Sequence, residues 1–445
     1  MKRPNILFLM SDEHRADITG YEGNKVIRTP VLDELARTGV VFRNAYTPSP
    51  ICVPGRMCMM AGQLPGTCGC YNYGDDLTPE YMTFARRFSQ YAYNTVCCGK
   101  LHHMGTDYLQ GWMQRIGGHD AMDPRYIKDR AEEEFNRYTS PYADGIWSDI
   151  REIKRAGIAR SRNTIDDTYT LQGALDYIEK YFNDTGYDKQ RGHEPLMLKV
   201  SFVQPHYPYF TTQDKFGYYL NRVQPFFDEE VFDHPYLSKK QVKIGVDVTK
   251  REVQRAVAAY YGMIETIDDY YGSILEALEY VGQDLDDWII IYTSDHGEML
   301  GEHGIWEKFK FFEASVRVPL IIKWGKNIPG GRIINENVSQ CDLFATLCDL
   351  AGIPTPDGLD SRSLVPLLKG ESDNWDNVVV SQLGKNIMIK RDNLKYQYYG
   401  GNMPEVLFDL EKDPRETKNF IDDPGYTQQL TYFRNYLSEI LKNQK

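Results

Sequence analysis

Two apolar runs, Asn5 to Met10 and Trp288 to Thr293, constrain this fold more than any other stretch of the chain. Neither alternates apolar with polar residues. Each therefore reads as a strand buried on both faces, as in a parallel sheet covered by helices. Each run also stops abruptly at polar residues: Ser11-Asp12-Glu13-His14 after the first, Ser294-Asp295-His296-Gly297 after the second. Further strand candidates lie at Gly39 to Phe42, Asn94 to Gly99, Pro195 to Val203 and Val318 to Lys323. Helices are expected from Thr29, with that residue as cap and Pro30 in the first turn. Others are expected at Met82 to Gln90, Thr164 to Phe182 and Arg251 to Val281. Strands alternating with helices predict an α/β fold: a large, mostly parallel sheet sandwiched by helices.

From about Asn374 the pattern changes to short strand candidates at Val378 to Ser381, Ile387 to Lys390, Leu394 to Tyr399 and Glu405 to Asp409. A final helix is expected from Tyr426 to Leu441. The expected organisation is a catalytic α/β domain over 1–373 and a small antiparallel α+β domain over 374–445. Residues 120–162 and 211–247 read as irregular insertions.

The chain has 445 residues, 42% of them hydrophobic, enough for a substantial core. Its net charge of −12 argues against nucleic acid and anionic membranes as main partners, so an anionic substrate would need a local cationic site. No apolar stretch reaches membrane-spanning length, and the start lacks a signal-peptide pattern. A cytoplasmic protein is expected, with a homo-oligomer left open. The eight cysteines fit no zinc spacing, which predicts buried free thiols.

One cysteine stands apart. In Ser49-Pro50-Ile51-Cys52-Val53-Pro54-Gly55-Arg56, Pro54 suits a first helical turn, which places Cys52 at a helix N-terminus where anionic chemistry is favoured. Arg56 returns to the same side one turn later. Other polar residues collect where strands end, the edge at which open α/β sheets bind ligands. Asp12, Glu13, Asp295 and His296 form a candidate site for a divalent cation. Lys100, His102, His206 and Lys308 would neutralise an oxyanion and protonate a leaving group. Trp112, Trp147, Tyr207 and Tyr209 are candidates for a sugar face or a quaternary ammonium, although such rings more often simply pack.

Together these motifs resemble the sulfatase family, within the alkaline phosphatase superfamily. Cys52-x-Pro54-x-Arg56, with Gly62, is similar to the signature whose cysteine is oxidised to formylglycine. Asp12 and Glu13 match the first metal pair, although many members carry Asp where Glu13 stands. Gly99-Lys100-x-His102, Pro205-His206-x-Pro208, Ser294 to Glu298, and Lys308 with Arg317-Val318-Pro319 follow in family order. Leu407 to Leu410 with Asp413-Pro414 resembles the usual C-terminal unit. The motifs look most like choline sulfatases and their relatives.

The resemblance implies hydrolysis of an organic sulfate ester, with calcium as metal, or Mg2+ or Mn2+, held by Asp12, Glu13, Asp295, His296 and residue 52. One hydroxyl of hydrated formylglycine would attack sulfur in line while Arg56, Lys100 and Lys308 hold the sulfate oxygens. His206 would assist leaving-group protonation, and His102 would take the proton of the second hydroxyl as sulfate leaves. The implied partners are a choline-, aryl- or carbohydrate-sulfate substrate and a formylglycine-generating enzyme. Two alternatives stay open: a phosphonate monoester or phosphodiester hydrolase at the same site, and a non-catalytic binding protein if Cys52 stays unmodified.

Overall fold

The computed structural model describes residues 3–103, 105–117, 147–183, 194–227, 232–239 and 241–443. The elements that place the site begin with β1 (Ile6–Asp12), α1 (Pro30–Thr38), β2 (Val40–Phe42), α2 (Cys52–Ala61), α3 (Phe84–Gln90), β3 (Asn94–Gly99) and β4 (Gln114–Ile116). They continue with α4 (Arg162–Asn183), β5 (Leu196–Pro205), α5 (Lys250–Tyr280), β6 (Ile289–Ser294), β7 (Leu320–Lys323), β8 (Arg332–Ile334) and α6 (Asp342–Ala351). Last come β9 (Val378–Leu383), β10 (Asn386–Arg391), β11 (Leu394–Tyr398), β12 (Val406–Asp409) and α7 (Thr427–Asn443).

The main sheet has eight strands in the order β8-β2-β7-β6-β1-β5-β3-β4. Strands β6, β1, β5, β3 and β4 pair in parallel, while β7 runs antiparallel to both β6 and β2. The apolar runs behave as their composition demands. Ile6, Phe8 and Met10 of β1 face a core with α2, α3 and α6; Leu7 and Leu9 face the other core, with α1, α4 and α5. A fully buried side chain of this kind is worth about 1.5–3 kcal/mol, so an unbroken run is what holds β1 at the centre.

The small sheet β9-β10-β11-β12 is antiparallel throughout. Val380, Ile387, Ile389 and Tyr396 on one face pack against Leu430, Phe433 and Leu437 of α7. Val379, Met388 and Phe408 on the other face join Tyr46, Met299, Phe311 and Phe312. Lys395, fully buried on β11, donates to Glu313 Oε1 at 2.9 Å and pairs with Glu416. These contacts attach the small sheet to both flanks of the segment that carries Lys308.

Several expectations are corrected. Thr29 takes the N-cap position of α1, but its side chain makes no capping bond: the Val31 and Leu32 N–H groups are taken by Asp268 of α5, at 3.0 and 2.9 Å, while Thr29 Oγ1 accepts from Gly20. The stretch Val318 to Lys323 is not one strand. Pro319, which has no N–H to donate, separates Arg317–Val318, paired with Ala45–Tyr46, from β7. The 211–247 stretch contains a helix, Gln213–Tyr219, whose Phe216 and Tyr219 are buried beside α5. Of 120–162, residues 120–146 lie outside the described residues, and Trp147–Arg155 is helical. The eight cysteines are free thiols, and no helix among the described residues is long and apolar enough to cross a membrane.

Candidate active site

Strand register builds the site. Met10 sits beside Ser201 and Thr293, and Gly99 beside Ser201, so β1, β3, β5 and β6 end at one edge. Asp12, Lys100, His206 and Asp295 therefore emerge together. Gly99 permits a close approach of β3 to β5: at φ +88, a Cβ there would lie 2.1 Å from the Ser201 carbonyl oxygen. Helix α2 starts at this edge with Cys52 as its first residue, as its proline spacing predicts.

Arg56, wholly buried, ties the edge together. Its Nε donates to Asp295 Oδ2 at 2.7 Å and its Nη2 to Asp12 Oδ2 at 3.0 Å. Its Nη1 donates to the Lys100 carbonyl and to Ser201 Oγ, each at 2.9 Å. Lys100 Nζ reaches Asp12 Oδ2 at 2.7 Å. Cys52 Sγ lies 3.1 Å from His296 Nε2 and 3.7 Å from Asp12 Oδ1. His296 Nδ1 donates to the Gly297 carbonyl at 2.9 Å, which leaves a lone pair on Nε2 facing Cys52.

Asp12, Cys52, Asp295 and His296 each offer a ligand atom, all within 4.8 Å of one another. Two carboxylates, an imidazole nitrogen and the residue-52 side chain fit a divalent cation. Glu13, expected in the same set, is placed differently. It follows β1 at φ +67, and its Oε2 accepts from Lys308 Nζ at 3.0 Å and lies 3.3 Å from His206 Nε2. It forms a second candidate ligand cluster with Asp12 and His206, whose ligand atoms also lie within 4.8 Å of one another.

Lys308 Nζ also lies 2.9 Å from His206 Nε2 and 5.5 Å from the centre of the Tyr207 ring. His206 Nδ1 donates to the Tyr207 carbonyl at 2.8 Å, so Nε2 is the acceptor for Lys308. His102, at φ +60 and buried, meets Tyr73 edge-on at 5.7 Å. Trp112 and Tyr209, at 1% exposure each, pack in the interior, and Trp147 opens its helix. Of the three aromatic candidates whose side chains are described, Tyr207 stands at the site, its ring centre 4.2 Å from that of His206. Ser201 was not legible beforehand, since a serine inside an apolar strand carries no motif.

The electrostatics are local and opposed. Burial works against ionisation of Asp12, yet Lys100, then Arg56, His206 and His296, hold its carboxyl well below the usual range. Burial pushes Glu13 well up, Lys308 opposing and Glu298 adding to the rise. Burial and then Asp12 push the Cys52 thiol up to about 12, so the encoded side chain stays a thiol at neutral pH. Burial and Lys308 lower His206 well below the usual imidazole range, which keeps it neutral beneath the ammonium.

A cysteine and an arginine at a helix start, facing paired Asp and Asp-His strand ends across a parallel sheet, define a hydrolase site for a charged ester. The sulfatase family model matches residues 4–353, and the model described as N-sulphoglucosamine sulphohydrolase, C-terminal, matches 301–443. The chain belongs to the sulfatase family and is a sulfuric ester hydrolase. It is 30% identical to the choline-sulfatase of Rhizobium meliloti, over 97% of this chain and 86% of that one. It is also 30% identical to the arylsulfatase of Clostridium perfringens, over 100% and 95%. Among solved structures, the phosphonate monoester hydrolase of Agrobacterium radiobacter shares the fold at TM-score 0.78 and 23% identity, over 100% and 96% of the two chains.

Proposed function

We propose that the chain hydrolyses a small organic sulfate ester, using formylglycine made from Cys52 and a divalent cation held by Asp12, Asp295, His296 and residue 52. The observation that carries this is the convergence of Cys52 and its partners with three cationic side chains, Arg56, Lys100 and Lys308, at one sheet edge. A bound cation would supply charge neutralisation and activation of an oxygen nucleophile. Hydrated formylglycine would supply two hydroxyls on one carbon, one to attack and one to let sulfate go.

The chain's own residues do the rest. Burial works against the charge of both lysines, yet Asp12 holds Lys100 above its ordinary range and Cys52, then Glu13, hold Lys308 well above it, so both can receive sulfate oxygens. Arg56 holds the two carboxylates in register. Neutral His206 cannot donate from Nε2 in this arrangement; the proton for the departing alkoxide comes from the Lys308–His206 pair, with Lys308 holding it at rest. The test is a panel of choline sulfate, an aryl sulfate, sulfated sugars and a phosphonate monoester, run beside the mass of the Cys52 peptide. Turnover of a sulfate ester is expected to exceed that of the phosphonate, with the peptide having lost sulfur and two hydrogens and gained oxygen. An unmodified peptide in fully active enzyme would overturn the formylglycine reading.

The donor chemistry also bears on the metal. Calcium takes six to eight oxygen ligands, whereas His296 offers nitrogen, which Mn2+ accepts. After chelation, Mn2+ is expected to raise the thermal midpoint and restore turnover more than Ca2+ at equal concentration. The reverse order in a thermal-shift titration would return the site to calcium.

A further inference from the structure

Helix α4 makes no direct part of the site, yet two of its polar residues are buried against the turn that carries His206. The helix begins where Ser161 and Thr164 exchange hydrogen bonds: Ser161 N–H to Thr164 Oγ1 at 2.9 Å, Thr164 N–H to Ser161 Oγ at 3.1 Å. Its buried stripe runs Asn163, Asp167, Thr170, Ala174 and Ile178, of which the last two pack in the apolar core. Asn163 and Asp167, four residues apart and so on one face, are 8% and 0% exposed. A carboxylate at such a position is costly unless it is fully hydrogen-bonded.

Both residues spend their polar atoms on the His206 turn. Asp167 Oδ1 accepts the Val203 N–H at 2.6 Å, and its Oδ2 accepts the Gln204 N–H at 2.9 Å and Gln204 Nε2 at 3.1 Å. Asn163 Nδ2 donates to the Tyr207 carbonyl at 3.0 Å and lies 3.4 Å from the His206 carbonyl oxygen. The turn closes on itself through His206 N–H to the Val203 carbonyl at 3.0 Å. The Tyr207 carbonyl also accepts His206 Nδ1, so its two lone pairs are shared between Asn163 and the imidazole. That bond fixes the proton on Nδ1 and aims the Nε2 lone pair at Lys308.

We propose that Asn163 and Asp167 are positioning residues for leaving-group departure, a two-residue clamp that holds the Val203 to Tyr207 turn and with it the tautomer and aim of His206. The proposal rests on the reading of Lys308 and His206 as the leaving-group pair. A helix face that merely anchors a strand end would show the same contacts. The two roles differ in kinetics, because an aryl oxide departs with little help while an alkoxide needs a proton.

The experiment compares Asn163→Ala, Asp167→Asn and His206→Ala on nitrophenyl sulfate and on an alkyl sulfate ester. On the alkyl ester, kcat of both clamp variants is expected to fall about tenfold or more, toward the lower end of general-acid effects. On nitrophenyl sulfate kcat should change less than about threefold, with KM for both esters held. Equal losses on both esters, or none on the alkyl ester, would overturn the clamp. A leaving-group split in His206→Ala without one in the clamp variants overturns the clamp alone. A His206→Ala enzyme that treats both esters alike overturns the underlying reading and the clamp with it. Should Asp167→Asn fail to fold, Asn163→Ala, which deletes one amide near the helix start, carries the test.

Discussion

Cys52→Ala is expected to lower kcat/KM by about 10^4-fold or more while the fold and thermal midpoint stay close to those of the parent. The side chain is 2% exposed, and its hydrogen-bonding neighbours are His296 Nε2 and Asp12 Oδ1. Truncation removes one small group, and Arg56 and Lys100 still compensate Asp12 and Asp295. Cys52→Ser separates attack from release. A lone hydroxyl can displace alcohol from sulfur, forming an O–S bond, but it has no geminal hydroxyl whose deprotonation would expel sulfate by breaking the carbon–oxygen bond of the resulting sulfate ester. The serine variant is expected to release one equivalent of alcohol in a burst and then stop, with the intact chain heavier by one SO3 group. Steady turnover by the alanine variant, measured with enzyme free of wild-type contamination, would remove residue 52 from the mechanism.

Much of the layout was legible because its physical demands are local. A strand buried on both faces needs an unbroken apolar run, and β1 and β6 carry one each. Polar residues at the ends of such runs must either be solvated or converge, and register makes them converge. The strands from Val378 to Asp409 showed themselves by length and turn spacing. The helix start at Cys52 followed from Pro54.

What escaped the sequence depends on partners far apart in the chain. Thr29 has the chemistry of a cap, but Asp268, distant in sequence, takes the N–H groups. Glu13 reads as a strand-end metal ligand, and it does share a candidate ligand cluster with Asp12, but its other neighbours lie far along the chain. The backbone turns at φ +67 after the strand, and Lys308 and His206 claim its carboxylate. The expected helix, Thr164 to Phe182, leaves Asn163 outside it, and neither Asn163 nor Asp167 belongs to a motif. Only the position of β5 relative to α4 shows that they face inward.

Arg56→Ala is the second large effect, and it should strike stability and activity together. The guanidinium is 0% exposed and makes four hydrogen bonds, two of them to the carboxylates of Asp12 and Asp295. Removing one partner from a buried ionic network costs about 3–5 kcal/mol, because here two carboxylates lose their shared cation. Lys100 still reaches Asp12, so Asp295 Oδ2 is the more exposed loss. Arg56→Lys restores a charge but not the planar fork that serves Asp295, Asp12, the Lys100 carbonyl and Ser201 at once. Chemical denaturation should place Lys between Arg and Ala in stability, with the m-value unchanged. Activity should fall further than stability in both variants, since the carboxylates that Arg56 aligns are those offered to the cation. If Arg56→Lys instead keeps full activity while losing stability, the fork braces the fold and does not tune the site.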